Sequence, residues 1–149
     1  MKIDDAIKSK FQSSWHRAVV NVRYTSNFFA TQQSKFMAEY GLSIAQFNIL
    51  RILRGAKQSI SVNDVKNRMV EKSPNTTRLM DKLFDKGLIN RVRCDHDRRV
   101  VFVEITESGL SLLSEIDGEI NNERSLMSSS NLTDEEANQL SDLLDKMRG

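Results

Sequence analysis

The segment CDHDRRVVFVEITESG, residues 94–109, begins with a thiol, an imidazole, two carboxylates and two guanidinium groups within six consecutive residues. Two chemistries are open to such a group. Cys94, His96 and the aspartates between and after them are ligand types that a metal ion accepts. Arg98 and Arg99 could instead bind the phosphates of a nucleic acid backbone.

Strand geometry limits the metal interpretation. Side chains alternate between two faces along a hairpin, so Cys94 and His96 would point one way and Asp95 and Asp97 the other. Each face then offers at most two close ligands, whereas a closed zinc site needs about four. We therefore expect neither a metal nor another cofactor, and a thiol-responsive or metal-responsive site at Cys94 and His96 stays open as an alternative.

The composition is that of an ordinary soluble chain. Its 149 residues are 39% hydrophobic and 28% charged, which suits one globular domain. A single cysteine excludes an intrachain disulfide and fits a reducing compartment. No apolar run approaches the roughly 18 residues of a membrane span. We expect a single-domain cytoplasmic protein without a membrane partner.

The charge is unevenly distributed along the chain. The formal net charge is only +2. Residues 51–99 hold 13 Lys and Arg against 6 Asp and Glu, a net charge of +7, and the remaining residues hold 9 against 14, a net charge of −5. A basic middle between acidic ends favours an anionic partner for the middle, although a solvated helical face would give a similar count.

Both ends of the chain are predicted to be helical. Apolar residues recur at steps near three and four from Ile3 to Tyr40, which predicts one long amphipathic helix or two helices joined by a kink within residues 25–31. Towards the other end, Thr106 is placed to cap a helix, and Thr133 opens a last helix with a capping-box pattern. These helices flank the basic middle of the chain.

Three shorter helices are predicted in the middle. Ser43 opens the first with a capping-box pattern, Gly55 should stop it, and Ser61 caps the second. The third helix has Ser73 at its N-cap, the only proline of the chain at its first helical position and Gly87 at its end. Its expected length is about three and a half turns.

After Gly87 the apolar period changes from helical to alternating, which predicts a β-hairpin whose polar tip is CDHDRR. Two helices joined by a short turn and followed by a hairpin describe a winged helix-turn-helix. In that arrangement the second helix enters a major groove, and the hairpin lies on the adjacent backbone or minor groove. The predicted fold class is therefore mainly α with a small β-hairpin wing.

The start of the third middle helix carries the groups that such a use requires. Asn75, Thr76, Thr77 and Arg78 place short hydrogen-bonding side chains and one long cation on its first turn and a half. Base edges and phosphates would be met there, and the backbone N–H groups of a helix start add affinity for phosphate. The alternative is a polar, solvated helix start without a ligand.

From about Leu42 to Gly109 the sequence resembles the MarR-type transcriptional regulators of bacteria. LSIAQFNILRIL is similar to the opening helix of the family's DNA-binding lobe, SPNTTRLMDKLFDKGLINR to its recognition helix and following strand, and DRRVVFVEITESG to its wing. The wing match is specific, because the residues of its signature all occur at the family's spacing: Asp97, Arg99, Val103, Thr106 and Gly109.

The resemblance implies a DNA-binding regulator, usually a repressor, and not an enzyme; no catalytic constellation is found in the sequence either. The implied DNA contacts are Ser73, Asn75, Thr76, Thr77, Arg78, Lys82, Asp97, Arg98 and Arg99. By the resemblance, Asp97 would pair with and orient a nearby arginine, while Arg98 or Arg99 reaches a narrow minor groove. A winged-helix module that binds a protein partner is the rival hypothesis.

A homodimer is expected, with residues 1–40 and 107–149 as dimerisation helices and residues 42–106 as the winged helix-turn-helix lobe. Two apolar stripes exceed what a lone winged domain can cover: Leu110, Leu113, Ile116 and Ile120, and Leu140, Leu143, Leu144 and Met147. The twofold axis of such a dimer implies a pseudo-palindromic operator in double-stranded DNA.

A small aromatic or phenolic ligand is the remaining expected partner, again by the resemblance. Its candidate contacts are Trp15, His16, Arg23, Phe28 and Tyr40. An apolar pocket needs a few polar groups to orient a ligand, and His16 and Arg23 would supply them. The alternative is that these aromatic residues belong to the core and to the dimer interface.

Overall fold

The computed structural model describes residues 1–8, 10–72, 74–122 and 132–149. In chain order the elements are α1 (Ile3–Ile7), α2 (Ser14–Glu39), α3 (Ile44–Ala56), β1 (Ile60–Ser61), α4 (Val62–Arg68), α5 (Thr76–Asp85), β2 (Ile89–Arg93), β3 (Val101–Ile105), α6 (Glu107–Asn122) and α7 (Asp134–Arg148). The predicted fold class is confirmed. None of the described helices is long and apolar enough to cross a membrane. The described residues form two compact units, Met1–Asp117 and Gly118–Gly149.

The break in the N-terminal helical region lies elsewhere than predicted. α2 runs without interruption through residues 25–31, and the chain instead leaves the helical path between α1 and α2. Lys8 adopts a left-handed conformation at φ +49°, and Ser13 caps α2 by accepting a hydrogen bond from the His16 backbone N–H at 3.1 Å. The predicted kink was wrong because no Pro or Gly interrupts residues 25–31, whereas Ser13 offers a cap.

An ion pair connects α1 to α2. The Arg17 guanidinium donates to both carboxylate oxygens of Asp4, with the shortest distance 2.7 Å from Nη2 to Oδ2. The hydrogen bond from Arg17 holds the pKa of Asp4 below its ordinary value of 3.8, and the carboxylate raises the pKa of Arg17. Because the folded-state pKa of Asp4 is lowered, the pair stabilises the contact above the ordinary pKa and is lost as the pH falls through the lowered one.

The predicted start of α3 is confirmed. Ser43 Oγ accepts from the Gln46 backbone N–H at 3.1 Å, and Gln46 Oε1 accepts from the Ser43 backbone N–H at 3.0 Å. The predicted stop at Gly55 was wrong: α3 continues to Ala56, and Lys57 takes the left-handed conformation that ends it, at φ +56°. The cap of α4 by Ser61 is confirmed, since its Oγ accepts from the Asp64 backbone N–H at 3.0 Å.

α5 is shorter than predicted. Pro74 lies in a turn before the helix rather than at its first position, and the first helical hydrogen bond runs from the Leu79 N–H to the Asn75 carbonyl at 3.0 Å. Ser73, the predicted N-cap, lies outside the described residues. The predicted end at Gly87 is confirmed: φ is +71°, which suits a glycine, and the Leu88 N–H bonds back to the Leu83 carbonyl at 3.0 Å.

The predicted hairpin is confirmed and gains a third strand. β2 and β3 pair antiparallel with Arg91 opposite Val103, and β1 joins the other edge of β3 with Ile60 opposite Val103. The strand order is β1-β3-β2. β1 was not predicted because its two residues are too few to show an alternating pattern. It attaches the start of α4 directly to the wing.

The core of the first unit is formed by side chains of this sheet and of the helices that pack with it, mainly α3. Its largest fully buried apolar side chains come from five elements and α6: Ile49, Leu50, Leu53, Val65, Leu83, Ile89, Val103, Leu113 and Ile116. Leu113 and Ile116 belong to an apolar stripe that the sequence predicted a second chain to cover. That part of the dimer prediction was wrong, because both side chains are already buried within one chain.

The predicted caps of the last two helices are confirmed. Thr106 Oγ1 accepts from the Gly109 N–H at 3.1 Å and also donates to the Gly87 carbonyl at 2.7 Å, so it joins the start of α6 to the end of α5. In the second unit, Thr133 and Glu136 form a capping box at the start of α7. α7 has no buried residue in a single chain, and Leu143 is 64% exposed.

Candidate nucleic-acid interface

The buried face of α5 decides which of its polar residues can reach a ligand. Thr76 is only 1% exposed and shares the inner face with the buried Met80 and Leu83, four and seven residues later. The prediction that Thr76 meets base edges is therefore corrected. The signal was present in the sequence, since counting back four residues from Met80 places Thr76 on the apolar row.

The outer face of α5 carries two cations. Arg78 and Lys82 are both exposed and stand four residues apart, so their side chains are neighbours along the helix. Thr77 is exposed on the flank of α5 that faces the wing, and Asn75 is exposed immediately before the helix. The first two turns of α5 therefore present short polar groups beside two long basic side chains.

The wing tip, residues 94–100, is shaped by Asp97. Its Oδ1 accepts from the Arg99 backbone N–H at 2.9 Å, and its carbonyl accepts from the Val100 N–H at 3.1 Å. The ion pairs of the described residues do not include Asp97. Asp97 thus acts on the backbone of the turn rather than on a guanidinium, and Arg98 and Arg99 are both exposed.

α5 and the wing line a common cleft of about 340 Å³, which we call the wing cleft. Thr77 lines it from α5, Arg99 from the wing tip and Asn63 from the first turn of α4. Two of the sequence-predicted contact residues, 22 positions apart in the chain, therefore share one concave surface. Asn63 was not predicted, because a polar residue on a short helix carries no signal of its own.

Arg91 forms a second connection between α5 and the wing. Its guanidinium donates to the Asp81 carboxylate, and its Cζ lies 4.9 Å from the centroid of the Phe84 ring. Arg91 therefore ties β2 to α5 through one ion pair and one cation–π contact. The sequence did not reveal this pair, because the two residues are separated by a helix end and a turn.

We expect Arg91→Ala to lower the free energy of unfolding by about 1 kcal/mol. The ion pair is about half exposed, with both side chains 48% accessible, and such pairs contribute roughly 0–1 kcal/mol. Asp81→Asn should cost less, because the contact of Arg91 with Phe84 remains. Urea unfolding of both single variants and the double variant measures the coupling. Strict additivity would show that Asp81 and Arg91 do not interact in solution.

Ion pairing separates the arginines into two groups. Arg17, Arg54, Arg91 and Arg148 each bond to an aspartate. The other arginines in the described part of the chain have no carboxylate partner, and all but Arg23 lie within the basic middle: Arg51, Arg68, Arg78, Arg93, Arg98 and Arg99. The uncompensated guanidinium groups are therefore concentrated on the α3–α5 and wing region.

The structure does not support a metal site at Cys94 and His96. Cys94 is half-buried and His96 is exposed, and across residues 1–8, 10–72, 74–122 and 132–149 no three His, Cys, Asp or Glu side chains are grouped to hold a metal ion. Cys94 instead lines a second hollow of the wing together with Arg93 and Arg98.

The candidate ligand contacts are spread along α2. Trp15 and Tyr40 stand at its two ends, 25 residues and so about 37 Å apart. Trp15 is 71% exposed and Phe28 51% exposed, His16 packs edge-on against Phe11, and Tyr40 packs against Phe36. Arg23 is exposed as well. A single chain does not bring these five residues into one pocket.

The family described as transcriptional regulator SarA/Rot matches residues 32–116, more than half of the chain. The HTH-type transcriptional regulator PecS of Dickeya dadantii is 32% identical over 97 residues, which cover 63% of this chain and 58% of PecS. The matched part spans between 41% and 58% of the length of three curated relatives.

Solved structures of MarR regulators share the fold. A mutant MarR from E. coli complexed with operator DNA matches with a TM-score of 0.79 at 22% identity, covering 93% of this chain and 99% of that one. Bordetella bronchiseptica BpsR, whose DNA binding is regulated by 6-hydroxynicotinic acid, matches with a TM-score of 0.76 at 21% identity, covering 89% and 99%. The resemblance to MarR-type regulators is thereby confirmed, and the chain belongs to the SarA/Rot family of transcriptional regulators, not to an enzyme family.

Proposed function

We propose that the chain binds double-stranded DNA as a homodimer and regulates transcription from a pseudo-palindromic operator. α5 would enter the major groove, and the wing would lie on the adjacent backbone or minor groove. One observation carries the proposal: Thr77 of α5 and Arg99 of the wing line a single cleft, beside an outer helix face with Arg78 and Lys82. Base-reading and phosphate-binding groups thus occur next to each other.

The proposed division of labour gives residues 42–106 to DNA binding and residues 1–40 and 107–149 to dimerisation. Exposed apolar side chains on α2 and α7 support it, among them Trp15, Phe28 and Leu143. Surfaces of this kind are normally covered in a stable protein, and a second copy of the chain would cover them.

We further propose repression that is relieved by a small aromatic or phenolic ligand. The regulation of BpsR DNA binding by 6-hydroxynicotinic acid, a small aromatic acid, supports a ligand of this class. Because Trp15, His16, Arg23, Phe28 and Tyr40 are spread over α2, one pocket of a single chain cannot hold all five, and the proposed ligand site would use some of them together with side chains from a second chain. A purely structural role of these residues in the dimer is the alternative.

Selection of duplexes from a random library by the full chain tests the proposal. The expected sites contain two related half-sites about one helical turn apart, with two chains bound per duplex. Binding should weaken steeply with salt, because each neutralised phosphate lowers the log–log slope by ~0.9. Failure to enrich any duplex would favour the rival hypothesis of a protein-binding winged helix, and an asymmetric site holding one chain would exclude the homodimer.

Alanine substitutions of Thr77 and Arg78 should change DNA binding in different ways. Thr77→Ala is expected to relax the preference for the selected bases, since each good base contact contributes ~1–3 kcal/mol of discrimination. Arg78→Ala should weaken binding to all sequences and reduce the salt slope by about one unit. Thr76→Ala is the matched control, because its side chain is buried and should affect stability rather than base preference. Unchanged specificity and affinity in the first two variants would refute the assignment.

A further inference from the structure

A further basic groove lies on the winged lobe, apart from the two hollows of the wing. It has a volume of about 240 Å³ and is lined by Asn48, Arg51 and Ile52 of α3 and by Arg68 and Val70 at and just after the end of α4. We call it the α3–α4 groove. Both arginines are exposed, and Val70, an apolar residue, is 87% exposed at its edge.

The two guanidinium groups of the α3–α4 groove are available to an anion. Among the described residues neither pairs with a carboxylate, although Arg54, three residues after Arg51, bonds to Asp117 at 2.6 Å. Arg51 Cζ lies 5.7 Å from the ring centroid of Phe47, which is itself buried. A cation already held over a ring loses less conformational freedom when it binds an anion.

The groove and the wing cleft lie at opposite ends of α4. That helix begins at β1, which pairs with β3 of the wing, and its first residues, Val62 and Asn63, line the wing cleft. It ends at Arg68 in the α3–α4 groove. Seven helical residues span about 10 Å, close to the ~12 Å width of a major groove. The length of α4 is therefore comparable to the separation of the two backbones that border one major groove.

We propose that the α3–α4 groove binds the phosphodiester backbone of duplex DNA at the end of α4 that lies away from the wing cleft. Arg51 and Arg68 each contact a phosphate, and Val70 packs against the apolar face of a deoxyribose. The inference rests on the proposed DNA binding and extends it: the groove adds affinity without base preference and lengthens the bound segment beyond the base pairs that α5 reads.

The test compares the wild type with the double variant Arg51→Gln/Arg68→Gln on a site recovered by the selection. Two duplexes are used, one with long mixed-sequence flanks and one trimmed to the selected positions, and Kd is measured by fluorescence anisotropy over a salt series. On the flanked duplex the variant should bind at least tenfold more weakly, with a salt slope smaller by about two units per chain. Trimming should weaken the wild type more than the variant, and base preference should stay the same.

The matched control is Lys2→Gln/Lys10→Gln, which removes the same charge from two exposed residues outside the winged lobe. Sedimentation first verifies that this control has the same oligomeric state as the wild type, and it should then bind DNA like the wild type. If Arg51→Gln disturbs folding through Phe47, Arg68→Gln alone carries the test, with an expected slope change of about one unit. Wild-type Kd and slope in a folded double variant overturn the inference while DNA binding stands, and point to an acidic protein surface as the occupant. A wild type that binds no duplex overturns the proposed function and the inference together.

Discussion

Replacing Arg99 by alanine is expected to weaken operator binding at least tenfold, on the order of 1.4 kcal/mol, without unfolding the wing. The guanidinium is exposed and lines the wing cleft beside Thr77, where a charge-assisted contact to phosphate or a narrow minor groove would form. The turn should survive, because Asp97 holds the backbone N–H of Arg99, which alanine retains. The salt slope should fall by about one unit, measured on one selected duplex at two salt concentrations.

Asp97→Ala tests how far DNA affinity depends on the shape of the wing turn rather than on the charge of Arg99. Because the Asp97 carboxylate accepts from the Arg99 backbone, its removal should loosen the turn and leave the guanidinium in place, so the loss of affinity should be smaller than for Arg99→Ala. The metal alternative predicts the reverse: Cys94→Ser and His96→Ala would be the damaging changes, and a chelator would abolish binding by the wild type. An Arg99→Ala variant with wild-type affinity and slope would show that the wing tip does not contact DNA.

Helix caps are the part of the fold that the sequence predicts best. Ser43, Ser61, Thr106 and Thr133 all cap the helices expected of them. A cap depends on a side chain and a backbone N–H two or three residues later, so all its determinants are local. The hairpin was predictable for a related reason, since alternation within five-residue strands is visible without knowledge of their partners.

Contacts between elements were not predictable in the same way. Arg91 with Asp81 and Arg54 with Asp117 are ion pairs between residues 10 and 63 positions apart, and the sequence offers many other acidic residues as partners for each arginine. The α3–α4 groove arises only when the end of α4 is packed beside α3. The candidate site was therefore predicted as two segments, the start of α5 and the wing, and their meeting at one cleft required the tertiary structure.

Gly109 occupies a position where any side chain would collide with backbone. A Cβ added there would lie 2.4 Å from the Leu88 carbonyl oxygen and 2.6 Å from Ile105 Cγ1. The Leu88 carbonyl cannot easily move away, because it accepts a hydrogen bond from the Thr106 N–H at 3.1 Å. The close approach therefore holds the first turn of α6 against the turn that follows α5, where Thr106 also bonds to Gly87.

We expect Gly109→Ala to lower the free energy of unfolding by roughly 1–3 kcal/mol or more, the range of overpacking in a rigid site. Because α6 would have to move away from Leu88, the Thr106–Gly87 hydrogen bond at the end of α5 should weaken, and DNA affinity should fall even where the variant remains folded. Gly118→Ala is the matched control in the same helix: nothing lies within 4 Å of its added Cβ, so it should gain about 0.5–1 kcal/mol from helix propensity. Urea unfolding and anisotropy with one selected duplex measure both effects. Equal stability of the two variants would contradict the close packing of α6 on Leu88, because an added Cβ meets backbone at Gly109 and open space at Gly118.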